Sequence, residues 1–202
     1  MKRLWILAAT ISGAIVSNSA LSAGNVETGA TKAIVCQACH GANGNSVNPE
    51  WPSLAGIGAD YIAEQLKNFK DGKRKNPVMA PNAMALSPGD MADLGAYFDS
   101  LTNTGLEADP SYWQAGQKLY RGGDEARGIP ACMACHGPTG RGNETAKFPA
   151  LRGQHSVYVV KQLSDYASGA RATGPNGIME AIAKRLSPDD MRNVAAYLQG
   201  IR

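Results

Sequence analysis

A chain of 202 residues, 44% hydrophobic and 18% charged, has room for one ordinary domain or two small ones. It is too apolar for a disordered chain and too charged for a membrane bundle. Twenty lysines and arginines against 17 acidic residues leave a formal charge of only +3, and no nucleic-acid partner is expected.

The first segment is separate from the rest. Lys2 and Arg3 precede an apolar run from Leu4 to Val16, followed by the small and polar stretch SNSALSA. These are the three regions of a secretory signal peptide, and a run of 13 residues is short of the ~20 that cross a bilayer. Ala20 and Ser22 occupy the small positions, so residues 1–22 are predicted to be removed, with cleavage after Ala23 as the alternative. Export places the mature chain outside the cytoplasm.

Four cysteines in an exported chain usually suggest disulfides, but here they stand as Cys36-Gln37-Ala38-Cys39-His40 and Cys132-Met133-Ala134-Cys135-His136. Two copies of C-x-x-C-H read as covalent attachment of two haem c groups, with His40 and His136 as iron ligands. They anchor an internal repeat. Cys36 and Cys132 are 96 apart; from Pro52 and Pro149 the offset is 97, pairing Tyr61 with Tyr158, Gln65 with Gln162 and Arg74 with Arg171. After the glycine-rich loop it becomes 100, pairing Met79 with Met179, Met91 with Met191 and Ser87-Pro88 with Ser187-Pro188.

Each half therefore predicts a short helix leading into the motif, a Gly/Asn/Pro loop, a middle helix, a second loop and a last helix. The middle helices are expected at Asp60 to Lys70 and Ser156 to Tyr166, and the last begin at a serine followed by proline, a helix-start signal. No convincing strand pattern occurs. The fold class is all-α, two tandem domains at 23–105 and 106–202, joined by the linker-like LTNTGLEADP from Leu101 to Pro110. Domains this small gain much of their core from a covalently held apolar porphyrin.

A histidine-ligated haem closed to small molecules needs a sixth ligand, and methionine thioether is a soft one. Met84 aligns with Lys184 and has no partner in the repeat. Met91 and Met191 share helix faces with Leu94 and Val194 and read as core. Met79 and Met179 remain, in loops expected to be irregular, with Met84 as the alternative for the first site; Met133 reads as a packing or surface residue. Pro52 and Pro149 follow the motif histidines by 12 and 13 residues, and their carbonyls suit the proton on the other ring nitrogen; a plain turn role is the alternative. Arg74 and Arg171 read either as partners of haem propionates or as solvated surface residues. His155 pairs with Gly58 and is expected to be exposed.

On these motifs, with CHGANGNS, P-S-L-A-G, RGG and F-P-A-L-R-G-Q-H, the chain resembles the di-haem cytochromes of the cytochrome c4 family over essentially its whole mature length. The resemblance implies two cytochrome c-like domains with covalent attachment at Cys36, Cys39, Cys132 and Cys135. Its axial ligands would be His40, Met79, His136 and Met179. It further implies an electron carrier of the bacterial periplasm rather than an enzyme, with redox protein partners: a cytochrome bc-type donor and a terminal oxidase acceptor, and with peripheral membrane association. The alternatives are an electron-transfer subunit of a dehydrogenase or oxidase complex, a di-haem peroxidase, and a zinc or thiol-redox module. Charge is also lopsided: residues 23–105 carry 6 basic and 8 acidic side chains, a balance of −2, and residues 106–202 carry 12 and 9, a balance of +3.

Overall fold

Glycine decides how the helices of each half cross. A computed structural model describes residues 24–201, so the leader 1–22 lies outside the described residues. In the first half, α1 (Val26–Lys32), α2 (Ile34–His40), α3 (Ala59–Lys70), α4 (Met79–Met84) and α5 (Pro88–Ser100) follow one another. In the second they are α6 (Trp113–Gly122), α7 (Met133–His136), α8 (Ser156–Ser168), α9 (Ile178–Ala183) and α10 (Pro188–Gly200). A Cβ on Gly29 of α1 would lie 2.0 Å from the Asp93 carbonyl oxygen of α5, and one on Gly116 of α6 would lie 1.9 Å from that of Asn193 in α10. The first and last helices of each half thus meet backbone to backbone. Lys32 fastens the first crossing through Asp90 and Asp93, at 2.5 and 2.7 Å.

Both last helices start as the Ser-Pro signal predicts. Ser87 and Ser187 accept from the N–H groups of Asp90 and Asp190, whose carboxylates return bonds to the serine N–H groups, so donors that a helix start leaves unpaired are satisfied. Leu94 and Phe98 of α5 bury with Ala33 and Ile62; Val194, Tyr197 and Leu198 of α10 bury with Leu119, Ile129 and Leu163. Met91 and Met191 are core, and the Ser164 hydroxyl lies 3.6 Å from the Met191 sulfur. Among the described residues, pairing outside helices is limited to three isolated bridges, and no helix is long and apolar enough to cross a membrane.

Two expectations are corrected and one open alternative is decided. The methionine segments are not irregular loops: Met79 opens α4, where Oδ1 of Asn76 accepts from the N–H groups of Val78 and Met79. Met179 is the second residue of α9, reached through a 3-10 turn at Pro175–Gly177. His155 is 6% exposed and donates from Nε2 to the Ser46 carbonyl at 2.8 Å, filling space between the halves where its counterpart Gly58 has no side chain. Arg74 and Arg171 are not solvated, at 8% and 3% exposure.

His155, Arg74 and Arg171 all lie where the halves meet. Gln154 grips Ser53 twice, accepting from its N–H and donating to its carbonyl, each at 2.9 Å, and the Ala150 N–H donates to the Ile57 carbonyl at 3.1 Å. The linker is tied down as well: Asn45 donates to the Thr102 carbonyl and accepts from the Thr104 N–H, both at 3.0 Å.

Candidate metal centres

The motif histidines end α2 and α7, and each is followed by a glycine at positive φ, Gly41 at 85° and Gly137 at 77°, which turns the chain sharply away from the imidazole. His40 and His136 are buried, with Nδ1 at 2.8 Å from the Pro52 carbonyl and 2.9 Å from the Pro149 carbonyl. A carbonyl only accepts, so Nδ1 holds the proton and Nε2 is the basic nitrogen of each ring. Both prolines fill the acceptor role rather than a turn role alone. Burial pushes both imidazoles towards the neutral form, against the raising effect of the proline carbonyls. Neutral imidazole is the form that ligates a metal.

The four cysteines are half-buried, with no disulfide among them. Burial pushes the Cys132 thiol up to about 11 and the Cys36 thiol upward too, the reverse of the depressed values that make a reactive C-x-x-C pair. Among the described residues no three His, Cys, Asp or Glu side chains converge as a zinc site requires. In the second half, Cys132, Cys135, His136 and Met179 line one cavity of about 180 Å³ whose walls are Leu119, Val159, Leu163, Leu186 and Val194. Two thiols, one imidazole and one thioether around an apolar slot are the donor set of a c-type haem. In the first half α4 packs on α3 as α9 packs on α8, with Met79 half-buried and Met84 58% exposed.

Sequence reasoning missed the form of the arginine cluster. Arg74 donates to Oε1 of Gln65 in its own half at 3.0 Å, and across the interface to the Tyr158 hydroxyl and Gln162 at 2.8 and 2.7 Å. Arg171 mirrors it, donating to Gln162 at 2.8 Å and across to Tyr61 and Gln65 at 2.8 and 2.9 Å. Phe69 and Tyr166 lie under the two guanidinium planes at 4.6 and 4.5 Å. The chain thus surrounds two buried cations with neutral groups. Tyr61, Gln65, Gln162 and Arg171 also line the cavity of the second half, so the Arg171 cation stands at its edge. The repeat pairing of Tyr61, Gln65 and Arg74 with their counterparts was the available signal.

The cytochrome c family profile matches residues 26–102 and again 113–202. A cytochrome c4 of Pseudomonas aeruginosa is 46% identical over 89% of this chain and 90% of its own length. The chain belongs to the cytochrome c4 family. The crystal structure of reduced cytochrome c4 from Pseudomonas stutzeri superimposes with a TM-score of 0.86 at 42% identity, covering 89% of this chain and all of that one. A thiosulfate dehydrogenase electron acceptor of Thiomonas intermedia is 38% identical over 83% of this chain and 78% of its own length. As a cytochrome c4 the chain is two tandem cytochrome c domains carrying two covalently bound haem c groups, a di-haem electron carrier and not an enzyme.

Proposed function

We propose that each haem is joined to the chain through Cys36 and Cys39 or Cys132 and Cys135, with His40 and Met79 on the first iron and His136 and Met179 on the second. The observation that carries this reading is the convergence of Cys132, Cys135, His136 and Met179 on one apolar cavity, repeated in sequence in the first half. When bound, haem supplies an iron that cycles between Fe(II) and Fe(III). The chain's own part is to fix the ligands and keep bulk water from them. Pro52 and Pro149 hold the ring tautomers, α4 and α9 carry the thioethers, and the buried guanidinium groups of Arg74 and Arg171 have the charge and planarity to receive propionate carboxylates. Met84 is too exposed to compete with Met79.

The carrier works in the periplasm after loss of residues 1–22, with domains at 23–105 and 106–202. It takes electrons from a cytochrome bc-type donor and delivers them to a terminal oxidase, with peripheral association at the membrane. A second reading, the accepting partner of a dehydrogenase, is favoured by the thiosulfate dehydrogenase electron acceptor among its relatives. The test mixes the reduced holoprotein with oxidase-containing membranes, and the oxidised holoprotein with a dehydrogenase and its substrate. Rapid oxidation in the first mixture supports delivery to an oxidase. Reduction in the second alone, with a stable complex on gel filtration, transfers the role to the dehydrogenase reading.

A further inference from the structure

Each motif histidine is held by a peptide unit that the opposite half of the molecule also holds. The Pro52 carbonyl, which accepts from His40, shares its amide with the N–H of Ser53, and that N–H donates to Oε1 of Gln154 at 2.9 Å. In the second half the Pro149 carbonyl accepts from His136, and the N–H of the same amide, on Ala150, donates to the Ile57 carbonyl at 3.1 Å. Ser53 and Ala150 are repeat counterparts, as are Ile57 and Gln154, each pair 97 apart. The two relays are therefore related by the pseudo-symmetry of the molecule, with a main-chain acceptor serving one histidine and a side-chain amide the other.

A peptide unit is polarised as a whole. An acceptor drawing on its N–H shifts electron density onto its C=O, which then accepts more strongly, by roughly 10–30% per bond in condensed-phase estimates. A stronger bond from carbonyl to Nδ1–H gives the imidazole more anionic character, and a more basic ligand favours the oxidised iron. Gln154 is well fixed for this task. It is 5% exposed, and its Nε2 is committed to the Ser53 carbonyl, so the amide cannot turn over without losing both bonds.

We propose that Gln154, a residue of the second domain, is a positioning residue for the first haem: through the Pro52–Ser53 peptide it strengthens the His40 hydrogen bond and lowers that haem's reduction potential. Each haem is then tuned in part by the other domain. This inference rests on the axial ligation proposed above.

The experiment is a haem-resolved redox titration of the holoprotein, following haem methyl resonances, on Gln154→Met, Gln154→Glu and His155→Leu. Gln154→Met removes the acceptor at similar volume. It is expected to shift the first haem's one-electron equilibrium about threefold towards the reduced form, roughly 28 mV upward at ~59 mV per tenfold, and to leave the second unchanged. The ¹⁵N resonance of His40 Nδ1 should move with it. Gln154→Glu places a stronger acceptor at the same reach and is expected to shift the first haem downward more than the second, and it carries the test alone if the methionine variant does not fold. His155→Leu loosens the interface but keeps the residue's N–H, which also donates to Gln154 Oε1 at 3.1 Å, and should shift neither haem selectively. An unchanged first-haem potential in Gln154→Met, equal shifts of both haems, or the same first-haem shift in His155→Leu would overturn the proposal. Failure of the ligation itself is seen separately, as a methionine–iron charge-transfer band in the parent protein that survives Met79→Ala and Met179→Ala.

Discussion

At the scale of single residues, the choice between Met79 and Met84 is a choice between two ends of one short helix. Met79 begins α4 with its N–H held by Asn76, half-buried, whereas Met84 ends it at 58% exposure. Met79→Ala is predicted to abolish the methionine–iron charge-transfer band of one haem while sparing the other, and Met84→Ala to leave both, as read by near-infrared magnetic circular dichroism. Loss of the band in Met84→Ala alone would transfer the ligand to the exposed end. The buried arginines make a second residue-scale test. Arg171→Met removes a cation that four hydrogen-bonding groups surround, leaving Gln162, Tyr61, Gln65 and Thr173 without that donor. The expected cost is about 2–4 kcal/mol in chemical denaturation of the holoprotein, larger than for the exposed Lys118, whose substitution should stay within about 0.5 kcal/mol.

At the scale of elements, helix crossings and caps decide stability. Gly116→Ala would drive a methyl into the Asn193 carbonyl, so α6 must lift off α10, at an expected cost of about 1–3 kcal/mol. Ser187→Ala removes a capping-box oxygen and should cost about 1 kcal/mol. Its partner Asp190, held down to about 2 chiefly by Arg127, then by its bonds to Ser187 and against burial, links this cap to pH. A carboxylate depressed in the folded state contributes fully above its ordinary value near 3.9, and that contribution is lost as pH falls through about 2. Asp190→Asn should therefore flatten the acid limb of the stability profile between about pH 4 and pH 2, measured by thermal unfolding, while solvent screening at the half-exposed Arg127 keeps the effect small. The repeat made most of this legible, because helix starts, motif spacing and the Met91 and Met191 core positions are all local patterns. The short helices α4 and α9 were not legible, since six residues with a proline inside α4 carry too little periodicity to separate helix from loop. His155 and the two arginines were misread or left open for a different reason. Their partners lie more than 80 residues away in the other half, and repeat register describes what the halves share rather than what they do to each other.

At the scale of the whole molecule, the unequal charges of the halves survive only in part at the surface. Lys161 is tied to Asp165, Arg127 to Asp124 and Asp190, Arg192 to Asp189, and Arg171 is buried. Lys147, which lines the cavity of the second half, and Lys184 beside α9 are exposed and have no such ion pair among the described residues, whereas Ile34, Val35, Val47 and Val78 expose apolar surface around the first site. Replacing Lys147 and Lys184 by Glu is predicted to slow association of the second domain with an acidic redox partner several-fold at low ionic strength, with rates converging on the parent protein as salt shortens the reach of the field. A stopped-flow salt series in which the variant and the parent coincide throughout would remove this face from docking. The paired arginines also bear on how the molecule is made. Two like charges enclosed side by side repel unless carboxylates arrive between them, and their hydrogen-bond partners among the described residues are neutral amides, phenols and the Thr173 hydroxyl. Haem insertion would then do more than equip two finished domains: each newly attached group would bring the counter-charge that lets the halves shut. A chain carrying one haem or none should be held open by its own arginines, measurable as a larger radius of gyration by small-angle scattering and faster proteolysis between residues 101 and 110. The interface would thereby distinguish a fully loaded carrier from an unfinished one before either meets a redox partner.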